Sequence, residues 1–169
     1  MRSMCGIAGM AGHSGPIHRY YGTAGMMLEK LTRRGPDKGE IVFSKGACLL
    51  RHGSAGGENE SMEWRRGGDA SPRRYILSFA GELYNAGELR GRLEERGRRM
   101  KGRSDGELVL TAYAEWGPDC VRELNGVYAF AIWEEESETL FCARDRFGIR
   151  PFFYALERDI VIIQKNHKG

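Results

Sequence analysis

Near the start of the chain a cysteine is followed by small residues, Cys5-Gly6-Ile7-Ala8-Gly9. If such a cysteine becomes residue one, it carries a thiol and a free α-amine side by side. The amine's reference pKa of about 7.7–8.0 suits it to act as general base near neutral pH, and the thiol is intrinsically nucleophilic. No histidine partner is then required, and His13, His18, His52 and His167 show no spacing that pairs them with a nucleophile. A cysteine flanked by Gly and Ala is more often a small buried hydrophobe. Position near the terminus is what raises Cys5 above that reading. Cys48, Cys120 and Cys142 are scattered, without a Cys-x-x-Cys pair or a His at zinc-ligand spacing. Neither a metal site nor a disulfide framework is expected.

These residues must be positioned by a chain of 169 residues, which suits one domain. Hydrophobic residues at 41% and charged residues at 29% are ordinary globular values. No apolar run reaches membrane-spanning length, and Cys5 to Gly12 is too short and Gly-rich for a secretory signal, so the expected compartment is the cytoplasm with no membrane partner. The net charge is +3, with a basic stretch at Arg90, Arg92, Arg96, Arg98, Arg99, Lys101 and Arg103. No interleaved stacking aromatics or reading motif accompanies it, so it reads as a solvated face and no nucleic-acid partner is expected.

Periodicity places a doubly buried strand over Cys5–Ala11 and a helix from Tyr20 to Leu31, stopped by Arg34-Gly35-Pro36-Asp37. Short strands follow at Glu40–Phe43 and Ala47–Arg51. A long loop runs from His52 to Arg73, with Met62 and Trp64 as its apolar landmarks. Arg74–Phe79 returns to strand character, directly followed by Ala80-Gly81-Glu82. Leu89 and Leu93 mark an amphipathic helix over Glu88–Arg96 closed by Gly97. Ser104 with Glu107 forms a capping box for a helix through Trp116, and a short helical piece is expected at Val121–Leu124. In Val127–Trp133 both alternating faces are apolar, so both must be covered. A hairpin turn at Glu134–Glu138 leads to a strand over Thr139–Arg144, and strands follow at Phe152–Ala155 and Ile160–Ile163. Grouped helices and doubly buried strands indicate an α+β layered fold, satisfied by two face-to-face sheets with helices outside.

Three segments occur in order: Met4-Cys5-Gly6-Ile7-Ala8-Gly9, Arg34-Gly35-Pro36-Asp37 and Gly81-Glu82-Leu83-Tyr84-Asn85. With Ser104-Asp105-Gly106-Glu107, Leu124-Asn125-Gly126-Val127-Tyr128-Ala129-Phe130 and Ala143-Arg144-Asp145-Arg146-Phe147-Gly148-Ile149-Arg150-Pro151, the chain resembles the glutaminase domain of class II glutamine amidotransferases of the asparagine synthetase B type. The resemblance implies a four-layer αββα sandwich of the N-terminal nucleophile hydrolase type. It also implies attack by Cys5 on the side-chain amide of glutamine, giving glutamate and ammonia. On the same basis Gly81 supplies an oxyanion donor from its backbone N–H, while Glu82 and Asp105 bind glutamine, Asp105 at the α-ammonium group. Arg51 is the nearest counterpart of the arginine that holds the substrate carboxylate. A zwitterionic substrate needs such a pairing of anionic and cationic groups.

The sequence departs from that pattern in four places. Met1–Met4 precedes Cys5, and this leader is expected to be removed or to lie upstream of the true start, leaving 5–169 as a single glutaminase-like domain. Ala80 stands where the family usually carries an asparagine whose amide supplies a second oxyanion donor. Leu50-Arg51-His52-Gly53 lacks the Leu-Ser pattern usual after that arginine. No pyrophosphate-binding Gly-rich loop is present, so no synthetase domain is expected in this sequence. The expected partners are glutamine and a separate ATP-dependent synthetase subunit or domain, with no cofactor. The competing reading is a catalytically weakened or inactive binding or regulatory module.

Overall fold

The computed structural model describes residues 6–12, 17–32, 39–52, 63–65 and 73–165. Among these residues the chain forms two antiparallel sheets. Strand β1 (Gly6–Gly12) is flanked by β3 (Ala47–His52) and by the last strand, β9 (Ile160–Lys165). Strands β2 (Gly39–Phe43) and β8 (Phe153–Glu157) form the edges, giving the order β2-β3-β1-β9-β8. The second sheet runs β4 (Glu63–Arg65), β5 (Arg74–Leu83), β6 (Gly126–Glu134), β7 (Thr139–Arg144).

Side-chain alternation sorts these strands into layers. Ala8, Met10, Cys48 and Leu50 pack outward against Ala24 and Leu31 of α1 (Tyr21–Thr32). On the inner face, Ala11, Leu49 and Ile163 meet Ile76, Ala131 and Trp133 of the facing sheet. Leu77, Phe79, Phe130 and Ile132 turn the other way, onto Leu89 and Leu93 of α2 (Ala86–Glu95) and Leu108 and Val109 of α3 (Asp105–Trp116). The expected αββα order of layers is therefore present.

Polar bonds fix the two sheets against each other. The buried Ser78 Oγ donates to the Leu50 carbonyl at 2.6 Å, inside the sandwich. At one end, Ser44 accepts from Trp133 Nε1 at 3.0 Å and donates to Glu135 at 2.6 Å, while Arg74 donates to the same carboxylate at 2.8 Å. Burial alone would raise the Glu135 carboxyl, but the Ser44 hydroxyl and Arg74 outweigh it and hold the group below its ordinary value. This clamp closes one end of the sandwich.

The helix termini follow their local sequence. Gly97, at φ +77°, lets its N–H reach the Glu94 carbonyl while the Arg98 N–H reaches that of Leu93, the paired bonds of a Schellman ending. Ser104 accepts from the Glu107 N–H at 3.2 Å, as a capping residue should. The Glu107 carboxylate does not complete the box. It accepts instead from the Lys101 and Gly102 N–H groups, at 2.7 Å each, and so orders the approach to the helix. In the basic stretch, Arg96 and Arg98 pair with Glu115, Arg92 with Glu123, and Arg92 and Arg96 lie over Trp116. Much of that positive charge therefore binds α2 to α3 and the segment after it.

Other expectations need correction. The long loop after His52 contains β4, whose Trp64 pairs in register with Tyr75. Three residues are too few to show a period in sequence. Strand β5 does not stop at Phe79 but continues through Ala80, Gly81 and Glu82 to Leu83, because β6 offers backbone partners over that whole length. The helical piece after α3 is a 3₁₀ turn over Gly117–Arg122, earlier than Val121–Leu124.

After β7 the buried Asp145 accepts N–H bonds from Ile149 and Arg150, at 2.9 Å each, while its own N–H binds the Tyr128 carbonyl at 2.8 Å. Burial would raise this carboxyl, but the surrounding backbone donors prevail and hold it below the usual aspartate value. A folded value below the unfolded one gives stability that is fully present above the unfolded pKa and is lost as pH falls through the folded one. Asp145→Asn is expected to lower stability at neutral pH by about 1–3 kcal/mol and to flatten the acid side of the pH profile, both read from urea midpoints at a series of pH values.

Candidate functional site

Opposite the Ser44 clamp, β1 begins at Gly6, β3 ends at His52 and β5 ends at Leu83. The inner layer here is thin: Ile7, Ala80 and Ala129 are fully buried against one another, and the half-buried Phe152 packs on them. Ala80 thus contributes a methyl group to an apolar wall, with no donor at that position.

Gly81 lies opposite Tyr128, and a Cβ built there would sit 2.3 Å from the Val127 carbonyl oxygen. No side chain fits without moving β6. The ladder also fixes where the Gly81 N–H points. Tyr84 N–H bonds the Asn125 carbonyl, whereas Leu83 N–H leaves the β6 ladder and donates to Asp105 Oδ2 at 2.8 Å. Because N–H groups two residues apart on a strand point the same way, the Gly81 N–H shares Leu83's direction, away from β6. Strand β4 pairs only with Arg74–Ile76, so no described strand covers that edge beside Gly81. The result is an outward-facing backbone donor on a rigid strand.

Asp105 opens α3, where the helix dipole favours an acid. Its carboxylate is half-buried and joins the helical layer to the end of β5. Burial is the strongest influence on it and raises its pKa. The Leu83 N–H opposes that rise, Glu82 adds to it and Arg90 opposes it, leaving the group above the ordinary aspartate value. Glu82 is exposed and, by alternation, on the face shared by Ser78 and Ala80. Arg51 belongs to the facing sheet, in register with Ile7 and Glu40, and its guanidinium pairs with Glu40 at 3.3 Å. The structure therefore brings Gly81, Glu82 and Asp105 together at one strand end. Arg51 reaches the same end of the sandwich from the other sheet.

Cys5 and the Arg34–Asp37 motif lie outside the described residues. The other three cysteines are set apart by their surroundings. Burial pushes the thiol of Cys48 up to about 11 and those of Cys120 and Cys142 up to about 12, which suppresses their thiolates at neutral pH. Among the described residues no group of three or more His, Cys, Asp or Glu side chains is placed to hold a metal ion, and no helix is long and apolar enough to cross a membrane. Two residues at the site's border were not singled out from sequence. Phe152 closes the apolar wall. Asp145, followed three residues later by Gly148, carries an Asx-turn signal that was available in the sequence.

Known proteins resemble this chain over most of its length. Residues 4–168 match the family described as the glutamine amidotransferase domain. Asparagine synthetase [glutamine-hydrolyzing] 3 of Bacillus subtilis (strain 168) is 38% identical over 159 residues, covering 91% of this chain and 25% of the relative. Asparagine synthetase B [glutamine-hydrolyzing] of Escherichia coli (strain K12) is 34% identical over 132 residues, covering 75% of this chain and 22% of the relative. The chain spans about a quarter of the length of these curated relatives. The solved glutamine phosphoribosylpyrophosphate amidotransferase of B. subtilis superposes with a TM-score of 0.69 at 23% identity, over 95% of this chain and 41% of that one. That likeness carries the fold, a four-layer αββα sandwich. With residues 4–168 matched and the layers in that order, the chain belongs to the glutamine amidotransferase domain family.

Proposed function

We propose that this domain hydrolyses glutamine to glutamate and ammonia in the cytoplasm and passes the ammonia to an asparagine-synthetase-like partner. The observation that carries this reading is the outward N–H of Gly81 beside Glu82 and Asp105, at the end of the sandwich where β1 begins at Gly6. Family membership favours it over a regulatory module.

In this mechanism residues 1–4 are absent from the mature chain, and Cys5 is residue one. Its α-amine takes the thiol proton as sulfur attacks the glutamine carboxamide carbon. Gly81 N–H stabilises the oxyanion, and the amine returns the proton to the leaving ammonia. Water then attacks the thioester, with the amine again as base, and releases glutamate. Asp105 meets the substrate's α-ammonium group and Glu82 adds a second acceptor. Arg51 exchanges Glu40 for the substrate carboxylate. No metal or organic cofactor takes part. Protein whose first residue is verified as Cys5 is expected to release glutamate from glutamine, and Cys5→Ala to abolish release. Absence of release from the verified protein would reject the reading.

Ala80 leaves one oxyanion donor where the family pattern has two, and a missing donor typically costs ~100- to 1,000-fold in rate. Ala80→Asn is expected to raise kcat by up to that factor. It is also expected to lower the thermal midpoint, since the new amide enters the apolar wall formed by Ile7, Ala129 and Phe152. Steady-state kinetics and a melting curve on the same preparation check both.

Asp105→Asn is expected to raise KM for glutamine by about tenfold or more, with a smaller change in kcat, because it removes the counter-charge of the α-ammonium group. In the unmodified protein KM should rise as pH falls through the raised Asp105 value, at higher pH than an ordinary aspartate would dictate. A pH series of KM for both proteins tests this, and the variant should lose the dependence.

A further inference from the structure

The outer face of the first sheet is covered unevenly. Helix α1 packs chiefly over β1, β2 and β3, and beside it the outward side chains of β9 help to form the floor of a cavity. Met10, Ile160 and Ile162 supply that floor. The cavity has a volume of about 550 Å³, within the roughly 300–1,000 Å³ range of small-molecule sites. Its rim is charged. Arg19 comes from the 3₁₀ turn Ile17–Tyr20 ahead of α1, and Glu157 and Arg158 come from the β8–β9 hairpin. All three are exposed, and among the described residues none of them is joined to an opposite charge.

The hairpin holds Arg158 in an unfavourable backbone conformation. Glu157 pairs with Ile160, so β8 and β9 are joined by a two-residue loop, Arg158-Asp159. Arg158 takes φ +52°, in the left-handed region where such loops ordinarily place Gly, Asn or Asp. Among the described residues Glu138 is the other non-glycine residue at positive φ, and its carboxylate is engaged by Lys45 at 3.2 Å. Arg158 has no such contact to offset its strain. A strained residue at the mouth of a cavity is the pattern of a ligand clamp.

The chemistry of the rim and floor selects a ligand class. Two guanidinium groups call for a carboxylate, which they bind through paired N–H donors. The Glu157 carboxylate calls for an ammonium group. The apolar side chains beneath call for an aliphatic body. An inorganic anion has neither of the last two, whereas an aliphatic amino acid carries all three in one small molecule.

We infer that this cavity is a binding site for a free aliphatic α-amino acid, with Arg19 and Arg158 on its carboxylate, Glu157 on its ammonium group and Met10, Ile160 and Ile162 against its side chain. The site is separate from the candidate glutamine site. Ile160 pairs with Gly12 and Ile162 with Met10, whereas the candidate site lies at the other end of the same two strands, where Lys165 pairs with Ile7. Met10 faces outward and Ile7 inward, so the sheet itself stands between the two. The inference therefore does not depend on the reading given under Proposed function.

L-Leucine is the probe, titrated into the full chain with isotope-labelled Met and Ile methyl groups and followed by NMR. The methyl signals of Met10, Ile160 and Ile162 are expected to shift saturably while that of Ile7 stays in place. Isoamylamine, which lacks the carboxylate, and isocaproate, which lacks the amine, are each expected to bind about tenfold more weakly or worse. Arg158→Gly is expected to weaken leucine binding by about tenfold while raising the thermal midpoint by ~2–4 °C, because glycine adopts the loop's φ without strain. Arg19→Ala is expected to weaken binding without that rise. A purely structural Arg158 would give the higher midpoint with unchanged affinity, and that result overturns the proposal. So do the absence of a saturable shift, a shift of Ile7 in place of the floor methyls, and analogues that bind as tightly as leucine.

Discussion

Strand β5 alternates Ile76, Ser78 and Ala80 toward the facing sheet with Tyr75, Leu77 and Phe79 toward α2 and α3, and β6 does the same beside it. Double burial of this central pair forces polar chemistry to the strand ends, because an ionic group in the middle would lack both water and partners. The one polar side chain of β5 inside the sandwich, Ser78, is satisfied by Leu50 of the other sheet. Of the two ends, one is occupied by the Ser44–Trp133–Glu135–Arg74 clamp. The other holds Gly81, Glu82 and Asp105.

At that open end, backbone geometry and side-chain chemistry support one another. Gly81 owes its place to the close approach of β6, which no side chain survives. The same ladder register that demands glycine also turns its N–H outward. Asp105 then links the strand end to α3, joining a helix terminus to a strand terminus through one carboxylate. Ala80 brings no polar group to this end: its methyl packs with Ile7 and Phe152.

The layered fold was legible in the sequence because doubly apolar strands such as Val127–Trp133 and one-sided helices such as that of Leu89 and Leu93 leave few packing solutions. Gly81, Glu82 and Asp105 were legible through short segments in familiar order. What escaped was tertiary in origin. Strand β4 has too few residues to show alternation, and the extension of β5 through Glu82 depends on partners on β6. Glu107 chose the Lys101 and Gly102 N–H groups over its own capping residue, which local spacing does not reveal. The role of Asp145 depends on donors that converge only once the turn has closed.

Strand β1 draws its hydrogen bonds from β3 on one side and from β9, the last of the described strands, on the other. Strand β1 thus waits for β9. At ribosomal rates of about 5–20 residues per second, the stretch between Gly12 and Ile160 takes roughly seven to thirty seconds to make. For that interval β1 is paired on one edge at most. Until β9 arrives, the edge of β1 that it will occupy stays open to pairing with another chain, so the sheet is most prone to aggregation in that interval.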